Sequence, residues 1–279
     1  MDRLAFTLPA PAKLNLFLNI IGRRPDGYHQ LQTAFQLIDL CDELAFEPAD
    51  ELSVACPGVE IPLEDNLVFR AADALRAATG CNAGAHITVD KRIPEGGGLG
   101  GGSSDAATTL VGLDRLWSLG LSREALMEIA TGLGADVPVF VYGRCAWGEG
   151  IGEILQPIDF SEKIYLIVQP ECAISTARIF AADDLTRNGT AITIAHFLRQ
   201  GSENVCEPVV RRLYPAVDAV CRWLSQWGDA RMTGTGSCVF VALDTEAEAR
   251  QILTSVPEAW RAFVAHGITE SPLYDALPG

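Results

Sequence analysis

The sequence has no stretch approaching the ~18 consecutive apolar residues that a membrane-crossing helix requires. Its first residues, MDRLAFTLPAPAK, carry no basic segment followed by an apolar one. The expectation is a cytoplasmic protein with no membrane partner. Cations are scarce: 21 lysines and arginines stand against 36 acids, a formal charge of −15, and no cluster of Lys and Arg reverses that locally. Such a field repels a nucleic-acid backbone, which argues against nucleic acid as a partner. It does not exclude small anions, because a pocket needs only a few cations and backbone N–H groups to hold one. Metal-type cysteine spacing is missing too. The eight cysteines (41, 56, 81, 145, 172, 206, 221 and 238) stand singly, with no CxxC and no close Cys/His group, and read as reduced core residues. Internal repeats, coiled-coil heptads and low-complexity linkers are absent.

What remains is the composition of an ordinary globular protein, 48% apolar and 20% charged over 279 residues, long enough for two domains of ordinary size. Ala12–Ile21 alternates apolar and polar residues, Thr33–Leu40 and Leu52–Cys56 are shorter strand candidates, and Ala85–Arg92 alternates again. These four runs predict one sheet. Apolar stripes predict helices over Leu67–Thr79, stopped by Gly80, and over Asp105–Leu119 and Ser122–Leu133. After about Ile158 the pattern restarts as strand Lys163–Gln169, helix Pro208–Trp227, strand Ser237–Leu243, helix Glu246–Val256 and strand Arg261–Ile268. The class is α+β, with one domain over residues 1–157 and a second over 158–279.

Between a predicted strand and a predicted helix lies Pro94-Glu95-Gly96-Gly97-Gly98-Leu99-Gly100-Gly101-Gly102-Ser103-Ser104, with six glycines in seven positions. Glycine permits positive φ and close backbone approach, so successive N–H groups can converge on an anion. The positive end of the following helix adds to this, and the segment reads as a phosphate cradle. A plain hinge does not need so many glycines. The Rossmann spacing is formally met by Gly96, Gly98 and Gly101, yet no acid-ended strand follows about 20 residues on. No Lys follows the glycines, so the Walker form fails. A kinase-type loop of another kind is the reading left.

Four further clusters each admit a bland reading. Lys13 and Asn15 project from one face of an apolar strand, where a buried Lys needs partners, although a strand-edge Lys reaching solvent has the same sequence. Arg23-Arg24-Pro25-Asp26-Gly27-Tyr28-His29 is turn chemistry followed by two rings, suited either to holding a flat base or to an unremarkable loop. Asp136 in Gly134-Ala135-Asp136-Val137-Pro138 is either the cap of a short helix with Pro138 in its first turn or an acid that receives a hydroxyl proton. Thr233-Gly234-Thr235-Gly236-Ser237 is a second glycine-rich turn before a strand.

An N-terminal Lys-bearing strand, a central PxxxGLG-type loop and a late glycine-rich turn, in that order, resemble the galactokinase, homoserine, mevalonate and phosphomevalonate (GHMP) kinase superfamily. The likeness extends through PAKLNLFL (11–18), RPDGYHQLQT (24–33), PEGGGLGGGSSDAA (94–107), GADVPVF (134–140) and TGTGSCVF (233–240). It implies an N-terminal ATP-binding domain (ribosomal protein S5 domain 2-like) and a C-terminal ferredoxin-like domain. It also implies transfer of the ATP γ-phosphoryl, with Mg2+, to the 2-hydroxyl of 4-diphosphocytidyl-2-C-methyl-D-erythritol, on the methylerythritol phosphate route to isoprenoid precursors. Carried over by motif, Asp136 is the catalytic acid/base and Lys13 its partner, a neighbouring ammonium favouring an ionised carboxylate. Asn15, Tyr28 and His29 face the substrate, Phe180 in STARIF stacks on cytosine, and Pro94 to Ser104, Lys91 and Asn66 approach the nucleotide. A mevalonate or homoserine kinase would share the loop but has no use for the Asp-Gly-Tyr-His turn. A non-catalytic nucleotide-binding regulator has no use for both Lys13 and Asp136. One departure stands out: relatives with GLGSS link the first Ser to Mg2+, whereas here Gly101 and Gly102 intervene before Ser103 and Ser104.

Overall fold

Strand β1 (Phe6–Arg23) and strand β2 (His29–Ala49) form one long antiparallel hairpin. The computed structural model describes residues 5–25, 27–58, 62–161 and 163–278, so Asp26 of the predicted Pro-Asp-Gly turn lies outside the described residues. Both strands exceed the predicted runs. β1 extends back from the predicted start at Ala12 through Pro9 and Pro11. Among the strands of the described residues β1 pairs only with β2, and an edge strand can place a proline where no ladder N–H is needed.

The other edge of β2 is shared by three strands. β3 (Leu52–Ala55) runs parallel to β4 (Gly84–Asp90), and β4 pairs with residues 43–49 of β2. Helix α1 (Leu67–Thr79) joins those two strands; the Asn66 side chain caps it by accepting from Val68 N, and Gly80 ends it in the left-handed region. Helices α2 (Gly101–Trp117), α3 (Arg123–Leu133) and α4 (Val137–Tyr142) follow; Ser122, expected as the first residue of α3, is its N-cap instead, its hydroxyl accepting from Ala125 N. β5 (Ala146–Gly150) pairs with residues 31–35 of β2 and, in a hairpin, with β6 (Ile154–Pro157).

The second half adds β7 (Ile164–Pro170), α5 (Thr176–Ala181), α6 (Ile194–Gln200), α7 (Glu207–Leu213), α8 (Pro215–Leu224), β8 (Arg231–Met232), β9 (Val239–Leu243), α9 (Glu246–Leu253), β10 (Trp260–Ile268) and α10 (Pro272–Asp275). The single helix expected over Pro208–Trp227 is two, broken at Tyr214 with φ −128° and ψ 86°. Pro215 explains the break: it lacks an N–H and disfavours helical backbone in the residue before it. β10 ends by pairing Gly267 and Ile268 with Ile38 and Leu37 of β2, which joins the halves in the sheet order β3-β4-β2-β10-β7-β9-β8.

One apolar core lies between β1, β2, β4 and helices α1 to α4, and another between β7, β9 and helices α7 to α9. A third cluster, including Leu14, Ile38, Leu99, Ile167, Cys238 and Phe240, draws from both halves and lies directly beneath the glycine-rich loop. Among the described residues all eight cysteines are free; Cys145, Cys206, Cys221 and Cys238 are buried, whereas the other four are only partly so, which narrows the core reading to half of them.

Candidate active site

The three motifs that are far apart in the chain meet through backbone hydrogen bonds. Lys13 N donates to Leu99 O at 3.0 Å, Ser237 N to Gly96 O at 3.1 Å and Cys238 N to Gly97 O at 3.0 Å. The Thr233 hydroxyl accepts from Asn15 N at 2.9 Å and donates to Gly98 O at 3.2 Å. Glycine is obligatory at two places here. A Cβ at Gly98, where φ is +75°, would sit 2.3 Å from Thr233 O, and one at Gly100, where φ is +76°, would sit 2.8 Å from the Phe140 ring. Gly102 has room for a methyl group, its nearest neighbour being Leu67 Cδ1 at 3.5 Å. Gly100 is the N-cap of α2 and supplies no side chain to the first N–H groups of that helix, so these donors and the positive helix end stay available to an anion.

A cavity of about 580 Å³ runs along the loop. Of the sequence-predicted residues, Lys13, Asn15, Asn66, Lys91, Asp136, Phe180 and the loop from Pro94 through Ser103 all line it. Ser104 stands apart: it is buried, and its hydroxyl has no hydrogen-bond partner among the described residues. Asn66 uses its side-chain oxygen to cap α1.

At the centre of the cavity Lys13, 1% exposed, directs its ammonium to Asn15 Oδ1 at 2.5 Å, Gly98 O at 2.9 Å and Asp136 Oδ2 at 3.2 Å. The reading of Lys13 as a strand-edge cation reaching solvent is therefore wrong: the side chain is buried and its ammonium is enclosed by acceptors. Asn15 is held in turn, its amide donating to Thr33 Oγ1 at 2.9 Å, which leaves one amide hydrogen for a ligand. Asp136 does precede a short helix with Pro138 in its first turn, but its carboxylate makes no capping bond. It turns to Lys13 instead, with 37% of its side chain exposed to the cavity. This is an acid fixed on one side and open on the other, the arrangement a proton acceptor requires.

A second buried charge cluster flanks the loop. Lys91 Nζ lies 2.5 Å from Asp42 Oδ2 and 2.7 Å from Asp105 Oδ2. Burial and the nearby Asp42 carboxylate push Asp105 up to about 7, against the pull of Lys91. Lys91 itself is desolvated, yet the two acids together hold its ammonium above the usual lysine range. The sign for Asp105 follows directly. The folded state keeps a proton that the unfolded chain has lost, so its contribution to stability is full below the ordinary carboxylate range and declines as pH rises to about 7. Asp105→Asn removes that decline. Its stability relative to the parent is expected to rise by about 1–4 kcal/mol between pH 4.5 and 8.5, measurable by denaturant titration at the two pH values.

At the far end of the cavity the His29 ring stacks on Phe180, centroids 5.1 Å apart and planes at 26°. Burial, then Arg187 and Arg23, lower the His29 pKa, so the ring is held neutral, and its Nε2 has no hydrogen-bond partner among the described residues. Tyr28 is 62% exposed, and neither it nor His29 lines the cavity wall. α5, which carries Phe180, is tied to the late turn by a 2.9 Å contact between the Thr176 and Thr235 hydroxyls.

Sequence reading missed Asp42, Asp105, Thr33 and Thr233. Asp105 stands within the PEGGGLGGGSSDAA motif, so position alone marked it. Nothing local marks Asp42. Among the described residues no group of three His, Cys, Asp or Glu side chains forms a metal cluster, and no helix is long and apolar enough to cross a membrane.

Residues 66–144 match the GHMP kinases N terminal domain and residues 179–262 the GHMP kinases C terminal domain. A 4-diphosphocytidyl-2-C-methyl-D-erythritol kinase of Nitrosococcus oceani is 53% identical over 271 residues, covering 96% of this chain and 97% of its own. One of Alkalilimnicola ehrlichii is 53% identical over 273 residues, covering 97% and 94%. A crystal structure of 4-(cytidine 5'-diphospho)-2C-methyl-D-erythritol kinase superposes with a TM-score of 0.80 at 33% identity, over 94% of this chain and 99% of that one. A homoserine kinase from Cytophaga hutchinsonii, at 16% identity and a TM-score of 0.70 over 96% of this chain and 95% of its own, shares the fold.

Proposed function

Because the chain belongs to the GHMP kinases, and within them to the 4-diphosphocytidyl-2-C-methyl-D-erythritol kinases, we propose which of its side chains perform the family's reaction. The reaction is ATP-dependent phosphorylation of the 2-hydroxyl of 4-diphosphocytidyl-2-C-methyl-D-erythritol in isoprenoid-precursor synthesis. The observation that carries the assignment is the 3.2 Å Lys13–Asp136 pair facing the glycine-rich loop across one cavity.

Asp136 accepts the proton of the 2-hydroxyl as its oxygen attacks the γ-phosphorus, and ADP leaves in line. Phosphoryl transfer asks the protein for position and positive charge more than for covalent chemistry. The Lys13 ammonium and the N–H groups of Gly98 to Ser103 supply that charge, and Lys13 also fixes the carboxylate. Magnesium bound with ATP would offset phosphate charge, and the cavity-lining Asp136 carboxylate and Ser103 hydroxyl would hold it, one or two protein oxygens being enough when phosphates and water complete the shell.

The nucleotide occupies the end walled by Asn66, Lys91 and residues 94–103, and the acceptor lies toward Asp136, Asn15 and Phe180. Residues 1–157 form the ATP-binding unit and residues 158–279 the unit that brings Phe180 and the late turn to the acceptor. Tyr28 and His29 complete the cytidine subsite. The protein acts in the cytoplasm.

Purified protein with Mg2+ and ATP, assayed for ADP release with 4-diphosphocytidyl-2-C-methyl-D-erythritol, mevalonate and homoserine, is expected to turn over the cytidylyl compound alone. Turnover of another acceptor would overturn the substrate, and silence with all three would favour a non-catalytic regulator. Phe180→Ala is expected to raise KM for the acceptor roughly 5- to 100-fold, the worth of one base stacked on an aromatic ring, with KM for ATP unchanged. An acceptor KM within twofold of the parent would remove Phe180 from the cytidine subsite.

A further inference from the structure

Lys91, Asp42 and Asp105 come from three separate places around the glycine-rich loop. Lys91 begins the segment that enters it, Asp105 lies in the second turn of α2 that leaves it, and Asp42 belongs to β2, beneath both. Asp42 is fully buried and uses both oxygens. Its Oδ1 accepts from Arg92 N at 2.5 Å and Ile93 N at 2.7 Å, and its Oδ2 lies 2.5 Å from Lys91 Nζ. The same ammonium reaches 2.7 Å across to Asp105 Oδ2. One carboxylate thus fixes the backbone entering the loop, and the ammonium it shares fixes the helix leaving it.

Of residues 94–104 between these fixed points, six are glycine and only Pro94, Glu95, Leu99, Ser103 and Ser104 carry side chains. A glycine-rich segment loses the most conformational freedom when it is ordered around a ligand, so holding its two ends lowers that cost before the ligand arrives. Lys91 is poorly placed as a phosphate-binding cation. Two of its three N–H donors point at carboxylates, and the cluster holds two acids against one base. We propose that Asp42, Lys91 and Asp105 form a clamp that pre-shapes the loop for the ATP polyphosphate, with Asp105 as a positioning residue for nucleotide affinity and not a group that touches ATP phosphate. The inference rests on the reading that this loop holds ATP.

Asp105→Ala opens the clamp while leaving Lys91 paired one-to-one with Asp42, so no buried charge is orphaned. Asp105→Asn keeps an acceptor for Lys91. Steady-state kinetics of the full chain are expected to give an ATP KM about 10-fold or more above the parent in the Ala variant, the worth of a hydrogen bond to a charged group. Its kcat should stay within about threefold and its acceptor KM should not change, because the Lys13–Asp136 pair is untouched; a purely structural loss would not divide KM from kcat in this way. The Asn variant should return the ATP KM to within about threefold of the parent. Backbone hydrogen exchange over residues 94–102 should quicken in Ala and not in Asn.

An ATP KM in Asp105→Ala within twofold of the parent, or lower, would overturn the clamp, as would an Asn variant no better than Ala. If circular dichroism finds Asp105→Ala unfolded, Asp105→Thr, which fills the site but is too short to reach Lys91, takes its place with the same expected values. Titration of the parent with a non-hydrolysable ATP analogue separates the two layers: no binding overturns the ATP reading itself, whereas binding that Asp105→Ala leaves unaltered overturns the clamp alone.

Discussion

Asp136→Asn is expected to yield a protein that folds and binds ATP yet turns over about 10²- to 10⁴-fold more slowly, the usual contribution of a general base. The substitution keeps the size of the side chain and removes its basicity. It costs some stability. The carboxylate is 37% exposed and makes no capping bond to α4, but the Lys13 ammonium is buried and loses its carboxylate partner, a loss of about 1–3 kcal/mol. Lys13 does not lose all its partners, because Asn15 Oδ1 and Gly98 O still accept from it. Coupled ADP release together with calorimetric titration of an ATP analogue separates the two effects. A variant that keeps more than about a tenth of the parent rate would remove Asp136 from the base role.

Gly98→Ala is expected to damage both fold and activity. Its Cβ would lie 2.3 Å from Thr233 O and 3.0 Å from Gly236 O, and backbone of the late turn cannot swing aside as a flexible side chain does. The left-handed conformation at φ +75° adds about 1–2 kcal/mol for any residue with a Cβ, so a total loss of about 2–5 kcal/mol follows once the contact is relieved by moving the turn. Activity falls with it, since Gly98 O accepts from both Lys13 Nζ and Thr233 Oγ1. Gly102→Ala is the matched control. It lies in the first turn of α2 with 3.5 Å of clearance, and it is expected to raise stability by a few tenths to about 1 kcal/mol through helix propensity. Thermal melts of the pair decide the matter; equal destabilisation by both would mean that the loop does not rest on the late turn.

Much of this was legible in the chain because the signals were local. The glycine cluster, the Gly80 stop and the alternation in β1 each depend on neighbours within a few residues, and each forms where its pattern lies. Pro215 was an equally local signal that the apolar stripe over Pro208–Trp227 concealed. The late turn was visible as a turn. That Thr233 bonds both Asn15 and Gly98 was not, since it arises only when β1, the loop and the turn are stacked. Asp42 is the clearest case. In the sequence it is one acid among three near the middle of β2, and it becomes central only because antiparallel pairing with β4 brings the segment at Lys91–Ile93, some 50 residues away, against it. Asp136 shows the opposite error. Its local pattern is that of a helix cap, and a long-range cation overrides the pattern by claiming the carboxylate.

The end of β10 and the turn into α10 pack onto the first half of the protein. Gln36 donates to Ile268 O, Cys145 N to Thr269 O and Ser271 N to Gly143 O, Leu273 is buried in the core of α1 to α4, and the Tyr274 ring covers Gly143. A ribosome delivers residues 36 and 143–145 long before it delivers 268–274. The nascent N-terminal half therefore waits without those partners and with part of its core uncovered until residues 268–274 emerge. A half that in sequence seems complete by residue 145 thus owes part of its core and several backbone partners to residues made more than 100 positions later.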